Sequence, residues 1–266
     1  MRESVQSALR PLLARNLRGI RRLSKIRRFR VDSLSGLSSG DSVALPETEA
    51  AHIRVLRLKS GAALELFDNA GNSATAGLID GDTARIDALI LAAPKCTGRL
   101  ILATAWPKGK RAATLVEKCS ELGVDEILPI RWARSVVSKD SESEGITRLR
   151  RIAAEAAKQS GRNDAPEILA EKPFDLAVRD FSGSAVCVLL DPRAERSLLE
   201  VLREHRSKVS ESALVLFVGP EGGFAPEELD SARKCGLISA RLVRNILRIE
   251  TAALAACAIA AAVLHE

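Results

Sequence analysis

The part of this sequence best suited to chemistry is a glycine-rich loop, GPEGGF, which follows the apolar run LVLFV. Five consecutive apolar residues favour a strand that is buried on both faces, and such strands occur in parallel sheets covered by helices. Sheets of this class bind their ligands beyond the carboxyl ends of the strands. The loop is therefore predicted to form a binding site, in which Glu221 is the single charged side chain.

The glycines of this loop match neither of the common phosphate-binding patterns. A P-loop requires GxxxxGK[ST] and a dinucleotide fold requires GxGxxG, whereas GPEGGF has neither spacing and no lysine. A carboxylate at its centre would also repel a phosphate. The pattern indicates a ligand without phosphate groups; the alternative is a simple tight turn over residues 219–222, with proline second and glycine fourth.

Two further charged residues, Arg248 and Glu250, stand between the predicted strand ARLV and a long apolar segment. Charge at such a junction is explained if a ligand uses it. The alternatives are an ion pair of Arg248 with Glu250 or another acid, and a favourable interaction of Glu250 with the dipole of a following helix.

The elements that must position these residues indicate an α/β fold from Leu100 onward. Apolar runs alternate with amphipathic segments, which is typical of a parallel sheet with crossover helices. The predicted strands are LILATA, EILPI, AVCVLL, LVLFV and ARLV, and the predicted helices cover residues 108–122, 147–160 and 226–236. The 14-residue run TAALAACAIAAAVL is shorter than the roughly 20 residues that cross a bilayer, so it predicts a buried helix and no membrane span.

The N-terminal third of the chain has a different pattern. Short strand-like runs, FRVDSL, DSVAL, AALELFD and ARIDALIL, are separated by turn signals and interrupted by one helix, ETEAAHIRVLR. We predict a small β barrel or β-rich domain over residues 27–94, an α/β domain over residues 95–266, and a disordered basic extension over residues 1–26.

The positive charge of the chain is concentrated near its start. Residues 1–30 carry ten Lys or Arg and one acid, a net +9, whereas the rest carries 30 and 33, a net −3. Such a segment suits a polyanion, with a steep dependence on salt. An incidental extension and a targeting segment are the alternatives.

Composition excludes several classes of protein. Apolar residues make up 46% and charged residues 28%, as in ordinary soluble proteins. The five widely spaced cysteines predict reduced thiols in a cytoplasmic protein, and the three distant histidines predict no metal site. The segment ATAWPKGK lacks the glycine fingerprint of a nicotinamide-dependent oxidoreductase.

Six segments in a fixed order carry a family resemblance. They are HIRVLRLKSG, LELFD, KGKRAATLVEKCSELGVDEILP, RIAAEAAKQSGRNDAPEI, LFVGPEGGFAPEEL and ILRIETAAL. From about Arg27 to its end, the chain resembles the bacterial 16S ribosomal RNA uridine N3-methyltransferases (RsmE type), within the SPOUT class of RNA methyltransferases. It departs from them at Val243 and Asn245, where the family usually has a glycine and an arginine.

The resemblance implies a PUA-like β barrel followed by a parallel-sheet SPOUT domain with a C-terminal trefoil knot, assembled as a cytoplasmic homodimer. It implies S-adenosyl-L-methionine as cofactor, 16S ribosomal RNA or the small ribosomal subunit as partner, and N3 of uridine 1498 as the methylated atom. The second hypothesis is a catalytically silent RNA-binding protein of the same fold, because Val243 and Asn245 fall in the cofactor region.

The resemblance also implies roles for individual residues. Arg248 is expected to stabilise negative charge on the uracil, and Glu221 or Glu250 to accept the ring proton. The residues expected to bind the cofactor are Leu190, Gly219, Gly222, Leu242 and Leu247. Those expected to bind RNA are Arg57, Lys108, Lys110, Arg111, Arg151 and Arg162. The alternative roles are core packing for the leucines and a solvated helix face for the cations.

Overall fold

The computed structural model describes residues 26–68, 70–91, 98–107, 109–135 and 143–265. Residues 1–25 of the predicted extension and the predicted boundary at Pro94 lie outside these ranges. The described chain divides into two compact units at Ile90, and the short loop Asp68–Asn72 groups with the second unit.

The first unit is built on a five-stranded sheet. Its elements are β1 (Arg27–Arg30), β2 (Ser42–Ala44), α1 (Glu47–Leu56), β3 (Ala63–Phe67), β4 (Ser73–Leu78) and β5 (Thr83–Ile90). The sheet order is β1-β3-β4-β5-β2, with β1 parallel to β3 and the other neighbours antiparallel. Phe29, Leu66 and Ile86 lie in its core, and the predicted β-rich fold is confirmed.

Strand β4 was not among the predicted strands. Its buried positions include Ala74, Ala76 and Leu78, two of which are alanines. Small side chains give a weak alternation signal, because strand prediction depends on β-branched and aromatic residues.

The second unit is a parallel sheet with helices. Its strands are β6 (Leu100–Thr104), β7 (Glu126–Arg131), β8 (Glu167–Ile168), β9 (Lys172–Pro173), β10 (Ala185–Leu190), β11 (Ala213–Val218) and β12 (Ile238–Ala240). Its helices are α2 (Lys110–Glu121), α3 (Ser143–Ser160), α4 (Phe174–Phe181), α5 (Leu198–Glu204), α6 (Arg206–Glu211), α7 (Pro226–Lys234) and α8 (Ile249–His265). The sheet order is β12-β10-β11-β6-β7-β8, with β9 also pairing with β7. Every pairing in it is parallel, so the predicted α/β fold is confirmed.

The central strands of this sheet are buried along their whole length. All five residues of β6 and all six of β10 are buried. Helix α8 packs on β6 and β11 through small residues, of which Ala253, Ala256 and Ala260 are fully buried. No helix in the described ranges is long and apolar enough to cross a membrane.

The last strand ends earlier than the sequence predicts. Strand β12 stops at Ala240, and the backbone of Arg241 bonds instead to the chain around the start of α5, donating to the carbonyl of Arg196 at 2.9 Å and accepting from Leu198 at 2.8 Å. The predicted strand ARLV is therefore wrong beyond its first residue. The consequence is that Leu242 and Val243 belong to a loop.

Candidate functional site

A cavity of about 400 Å³ opens at the carboxyl ends of β10 and β11. Its walls come from the segments 190–193, 218–224 and 242–247, with Arg134, Ile249 and Ala252 completing them; Arg244 is the one member of these segments that does not line it. This volume lies in the range of small-molecule sites, which typically measure a few hundred Å³. Three strand ends and the start of α8 therefore converge on one concave site, as open α/β sheets do.

Two glycines of the GPEGGF loop, Gly219 and Gly223, are required for different structural reasons. A Cβ atom at position 219 would lie 2.3 Å from Cε1 of Phe224, so the Phe224 ring lies directly on the Gly219 backbone. Gly223 has a φ of +69° and donates its N–H to the carbonyl of Pro220 at 2.9 Å. The loop thus forms a tight turn, one residue later than in the alternative interpretation, and it is also a wall of the cavity.

A buried carboxylate fixes this loop to the segment that follows β7. Glu228, in the first turn of α7, accepts from the backbone N–H of Ala225 and from that of Ala133, each at 2.7 Å. Arg134 then donates from Nη1 to the carbonyl of Gly222 at 3.2 Å. The two segments are therefore joined by charged hydrogen bonds on both sides of the turn.

Aromatic packing supports the same junction from behind. The ring of Trp132 stacks on Phe174 with centroids 4.4 Å apart and lies 5.1 Å from the ring of Phe224. Phe174 in turn meets Phe217 of β11 edge to face at 5.7 Å. Phe224 lines the cavity, so this aromatic cluster fixes the cavity wall.

The loop after β10 contributes a closed ion pair. Arg193 donates from Nε and Nη2 to the two carboxylate oxygens of Asp191, at 3.1 and 3.2 Å. The hydrogen bond to Asp191 raises the pKa of Arg193. Both residues line the cavity, and their charges compensate one another.

The structure brings the five predicted cofactor residues together. Each of them lines the cavity: Leu190, Gly219, Gly222, Leu242 and Leu247. Their role in binding stays a prediction, since packing alone would also place a leucine here. Val243 and Asn245, the two departures from the family pattern, line the same cavity.

The three predicted catalytic residues are placed differently. Glu221 is exposed and lines the cavity. Arg248 is exposed and stands between Leu247 and Ile249, which line the cavity although Arg248 itself does not. Glu250 lies in the first turn of α8.

Among the described residues, Glu250 lies near Arg111 and does not form the ion pair with Arg248 that the sequence left open. Its side chain is 16% exposed, and Oε1 lies 3.8 Å from Nη1 of Arg111. Its Oε2 is buried without a hydrogen-bond partner among the described residues. The ionic partner of Glu250 is therefore Arg111 and not Arg248.

The predicted RNA-binding residues fall into two groups. Lys110, Arg111 and Arg151 are exposed on α2 and α3, and Arg57 is exposed at the end of α1 in the first unit, with a left-handed φ of 53°. Lys108 lies outside the described residues.

Arg162 has a different environment. Its side chain is 13% exposed, and Nη1 donates to the carbonyls of Ser120 and Val124 at 2.8 and 3.0 Å. Its Nε lies 3.3 Å from a carboxylate oxygen of Asp164. These contacts tie the end of α2 to the chain before β8, and binding of RNA by Arg162 stays a prediction that this geometry does not favour.

Sequence reasoning missed Arg134, Asp191 and Arg193 as cavity residues. For Asp191 and Arg193 a signal was present, because AVCVLL and LVLFV are predicted strands of one parallel sheet, whose carboxyl ends share an edge. The polar residues that follow AVCVLL could have been added to the candidate site on that ground, whereas the first polar residue after EILPI is Arg131, which does not line the cavity.

Comparison with known proteins identifies the family. Residues 94–261 match the model of the RNA methyltransferase domain, and residues 45–91 match that of the RNA methyltransferase PUA domain. The ribosomal RNA small subunit methyltransferase E of Mycobacterium tuberculosis is 30% identical over 236 residues, which cover 85% of this chain and 87% of the relative. This chain belongs to the methyltransferase E family. The Bacillus subtilis member is 32% identical over 162 residues, which cover 59% of this chain and 62% of that protein.

Two solved structures of similar fold and sequence agree with this assignment. The enzyme from Neisseria gonorrhoeae, bound to S-adenosyl methionine, has a TM-score of 0.75 at 28% identity and covers 88% of this chain and 95% of its own. A Legionella pneumophila methyltransferase in complex with the same cofactor has a TM-score of 0.73 at 26% identity, with coverages of 90% and 98%.

Proposed function

We propose that this protein transfers the methyl group of S-adenosyl-L-methionine to N3 of one uridine in 16S ribosomal RNA, the uridine 1498 that the sequence resemblance implies. The observation that carries the proposal is the cavity at the GPEGGF loop, in a chain that belongs to the methyltransferase E family. Relatives of this chain are named as small subunit methyltransferases, and solved ones contain the cofactor.

The residues of the cavity fit this cofactor. S-adenosyl-L-methionine has an adenine, a ribose and an amino acid, and it has no phosphate. The lining accordingly combines apolar side chains such as Leu190, Leu242 and Phe224 with a few charged ones, the usual composition of a small-molecule site. Bound there, the cofactor supplies a methyl group on a positively charged sulfur.

The chain's own residues supply positioning and charge. Uracil N3 must lose a proton, which leaves negative charge on its carbonyl oxygens. Arg248 is exposed beside the cavity and is the cation that we assign to this charge. Glu221, which lines the cavity, and Glu250, with its buried oxygen, are the two candidates for accepting the proton. Most of the remaining rate comes from holding the two reactants in line.

Exposed cations support contact with RNA. Lys110 and Arg111 occupy the first turn of α2, where the helix dipole disfavours positive charge. A phosphate bound there would turn this unfavourable placement into a favourable one. We assign Arg151, and Arg57 in the first unit, to the same task of binding phosphates.

The further parts of the proposal follow the sequence resemblance. They are an RNA-binding role for the PUA-like first unit over residues 27–94, a methyltransferase domain over residues 95–266, a trefoil knot and a homodimer. The substrate is naked RNA or the small ribosomal subunit, which would place the protein in the cytoplasm.

The test is methyl transfer by the purified protein. It is incubated with S-adenosyl-L-methionine and with small-subunit RNA or intact subunits from cells that lack the gene, and modified nucleosides are mapped by mass spectrometry. One new N3-methyluridine supports the proposal. Binding of RNA without cofactor binding or methylation would establish the silent alternative, since Val243 and Asn245 line the cavity.

A further inference from the structure

The cavity contains two arginines in different electrostatic states. Arg193 is paired with Asp191 through two hydrogen bonds. Arg134 donates only to a neutral carbonyl, that of Gly222, and no carboxylate of the described residues lies within ion-pair distance of it. Arg134 is therefore the uncompensated cation of the cavity lining in the described part of the chain.

Arg134 is held on a rigid turn. The N–H of Trp132 donates to Oγ of Ser135 and the N–H of Ser135 to the carbonyl of Trp132, each at 3.1 Å. The backbone N–H of Ala133, the residue after Trp132, donates to the buried carboxylate of Glu228 at 2.7 Å. Trp132 itself is 2% exposed within the aromatic cluster. The backbone that presents Arg134 is thus ordered before any ligand binds, which lowers the entropic cost of binding.

The guanidinium of Arg134 has more N–H donors than its bond to Gly222 uses. Arginine carries five N–H donors in a planar fork, and the bond to Gly222 uses Nη1 alone. A fork of this kind matches a carboxylate or a phosphate with two parallel hydrogen bonds. The remaining donors of Arg134 are therefore suited to an anionic group of a ligand in the cavity.

The other charged lining residues cannot take that anion. Glu221 and Asp191 are themselves acids, and Arg193 is already engaged by Asp191. The proposed cofactor carries one anionic group, the α-carboxylate of its methionine part. We propose that Arg134 binds this carboxylate and so selects a ligand with an intact amino acid end; the inference rests on the proposed function.

The test compares two ligands that differ in one group. Titration calorimetry measures the affinities of S-adenosyl-L-methionine and of decarboxylated S-adenosylmethionine for the full chain and its variants. Loss of a charged hydrogen bond corresponds to roughly 10- to 100-fold in affinity. Arg134→Ala is expected to weaken S-adenosyl-L-methionine by about this factor and the decarboxylated ligand by less than about 3-fold. Arg134→Lys, which keeps the charge without the fork, is expected to lie between.

A matched control is Arg131→Ala, an exposed arginine of β7 that pairs with Glu171 at 3.2 Å and does not line the cavity. It is expected to leave both affinities unchanged. Equal losses for the two ligands in Arg134→Ala would overturn the inference, because they would indicate a collapsed wall. Unchanged cofactor affinity with weakened RNA binding would also overturn it, since Arg134 would then bind a phosphate.

The experiment distinguishes failure of the proposed function from failure of the role assigned to Arg134. If the unaltered protein binds neither ligand, cofactor use itself is wrong. If it binds both equally well, cofactor use stands and the role of Arg134 is wrong. Thermal unfolding of each variant, followed by circular dichroism, verifies that the comparison is made between folded proteins.

Discussion

Gly219→Ala is the sharpest perturbation that the cavity offers. The added Cβ would lie 2.3 Å from Cε1, 2.8 Å from Cζ and 3.0 Å from Cδ1 of Phe224. Ordinary carbon contacts begin near 3.5 Å, so the ring edge must move by roughly 1 Å. Behind it lies Trp132, with ring centroids 5.1 Å apart. The ring is therefore expected to shift toward the cavity.

The expected cost has two parts. Overpacking of this kind typically lowers the free energy of unfolding by about 1 to 3 kcal/mol, which urea denaturation measures. A ring displaced into the cavity also removes ligand volume, and we expect the affinity for S-adenosyl-L-methionine to fall by about 10-fold or more, as measured by calorimetry. The ratio of the loss of affinity to the loss of unfolding free energy shows whether the Phe224 ring moves into the cavity.

The control is Gly81→Ala, because a Cβ there meets nothing within 4 Å and the glycine has an ordinary backbone conformation. It is expected to leave stability and affinity close to those of the unaltered protein. If Gly219→Ala were equally neutral in both assays, the close contact between Gly219 and Phe224 would not exist in solution. The assignment of this loop as the cavity wall would then lose its main support.

Three further changes test other parts of the structure. Glu228→Gln replaces one of two buried acceptor oxygens by a donor that faces an N–H, so it should lower the free energy of unfolding by about 1.5 to 3 kcal/mol in urea titrations. Burial raises the pKa of the Cys187 thiol to about 12. Above the unfolded thiol's pKa of about 8.5 only the unfolded state loses this proton, so stability falls with rising pH by up to about 1.4 kcal/mol per unit until the folded thiol ionises near pH 12. Cys187→Ala should make the stability profile shallower between about pH 9 and pH 10.5, and an unchanged slope would contradict the burial of this thiol. Arg248→Ala should lower kcat by about 10²- to 10³-fold with little change in cofactor affinity, whereas Arg244→Ala, an exposed neighbour outside the cavity lining, should leave kcat near its original value.

The strands and the site edge could be predicted because the signals are local. Runs of large apolar residues such as AVCVLL identify buried parallel strands, and parallel strands place their following loops at one edge. The convergence of Leu190, Gly219 and Leu242 on one cavity follows from that rule. The missed helices α4, α5 and α6 and the two-residue strands β8 and β9 are too short for periodicity to indicate.

What could not be predicted depends on tertiary partners. The sequence favours Arg162 as a surface cation, yet folding places carbonyls of α2 and its following turn around its guanidinium. Likewise, Gly219 is required by the ring of Phe224 and Glu228 by the N–H of Ala133, a residue 95 positions away. The contacts of Arg162 and Glu228 join segments that no local pattern relates, and the contact between Gly219 and Phe224 depends on how their loop folds back on itself.

The most direct test of the central claim is made on ribosomal RNA from cells. Small-subunit RNA is isolated from cells that lack the gene and from the same cells with the gene restored, and N3-methyluridine is mapped by mass spectrometry. We predict that one N3-methyluridine is absent without the gene, returns with the unaltered protein, and stays absent with Arg248→Ala. An unchanged set of modified uridines in cells without the gene would contradict the proposed function.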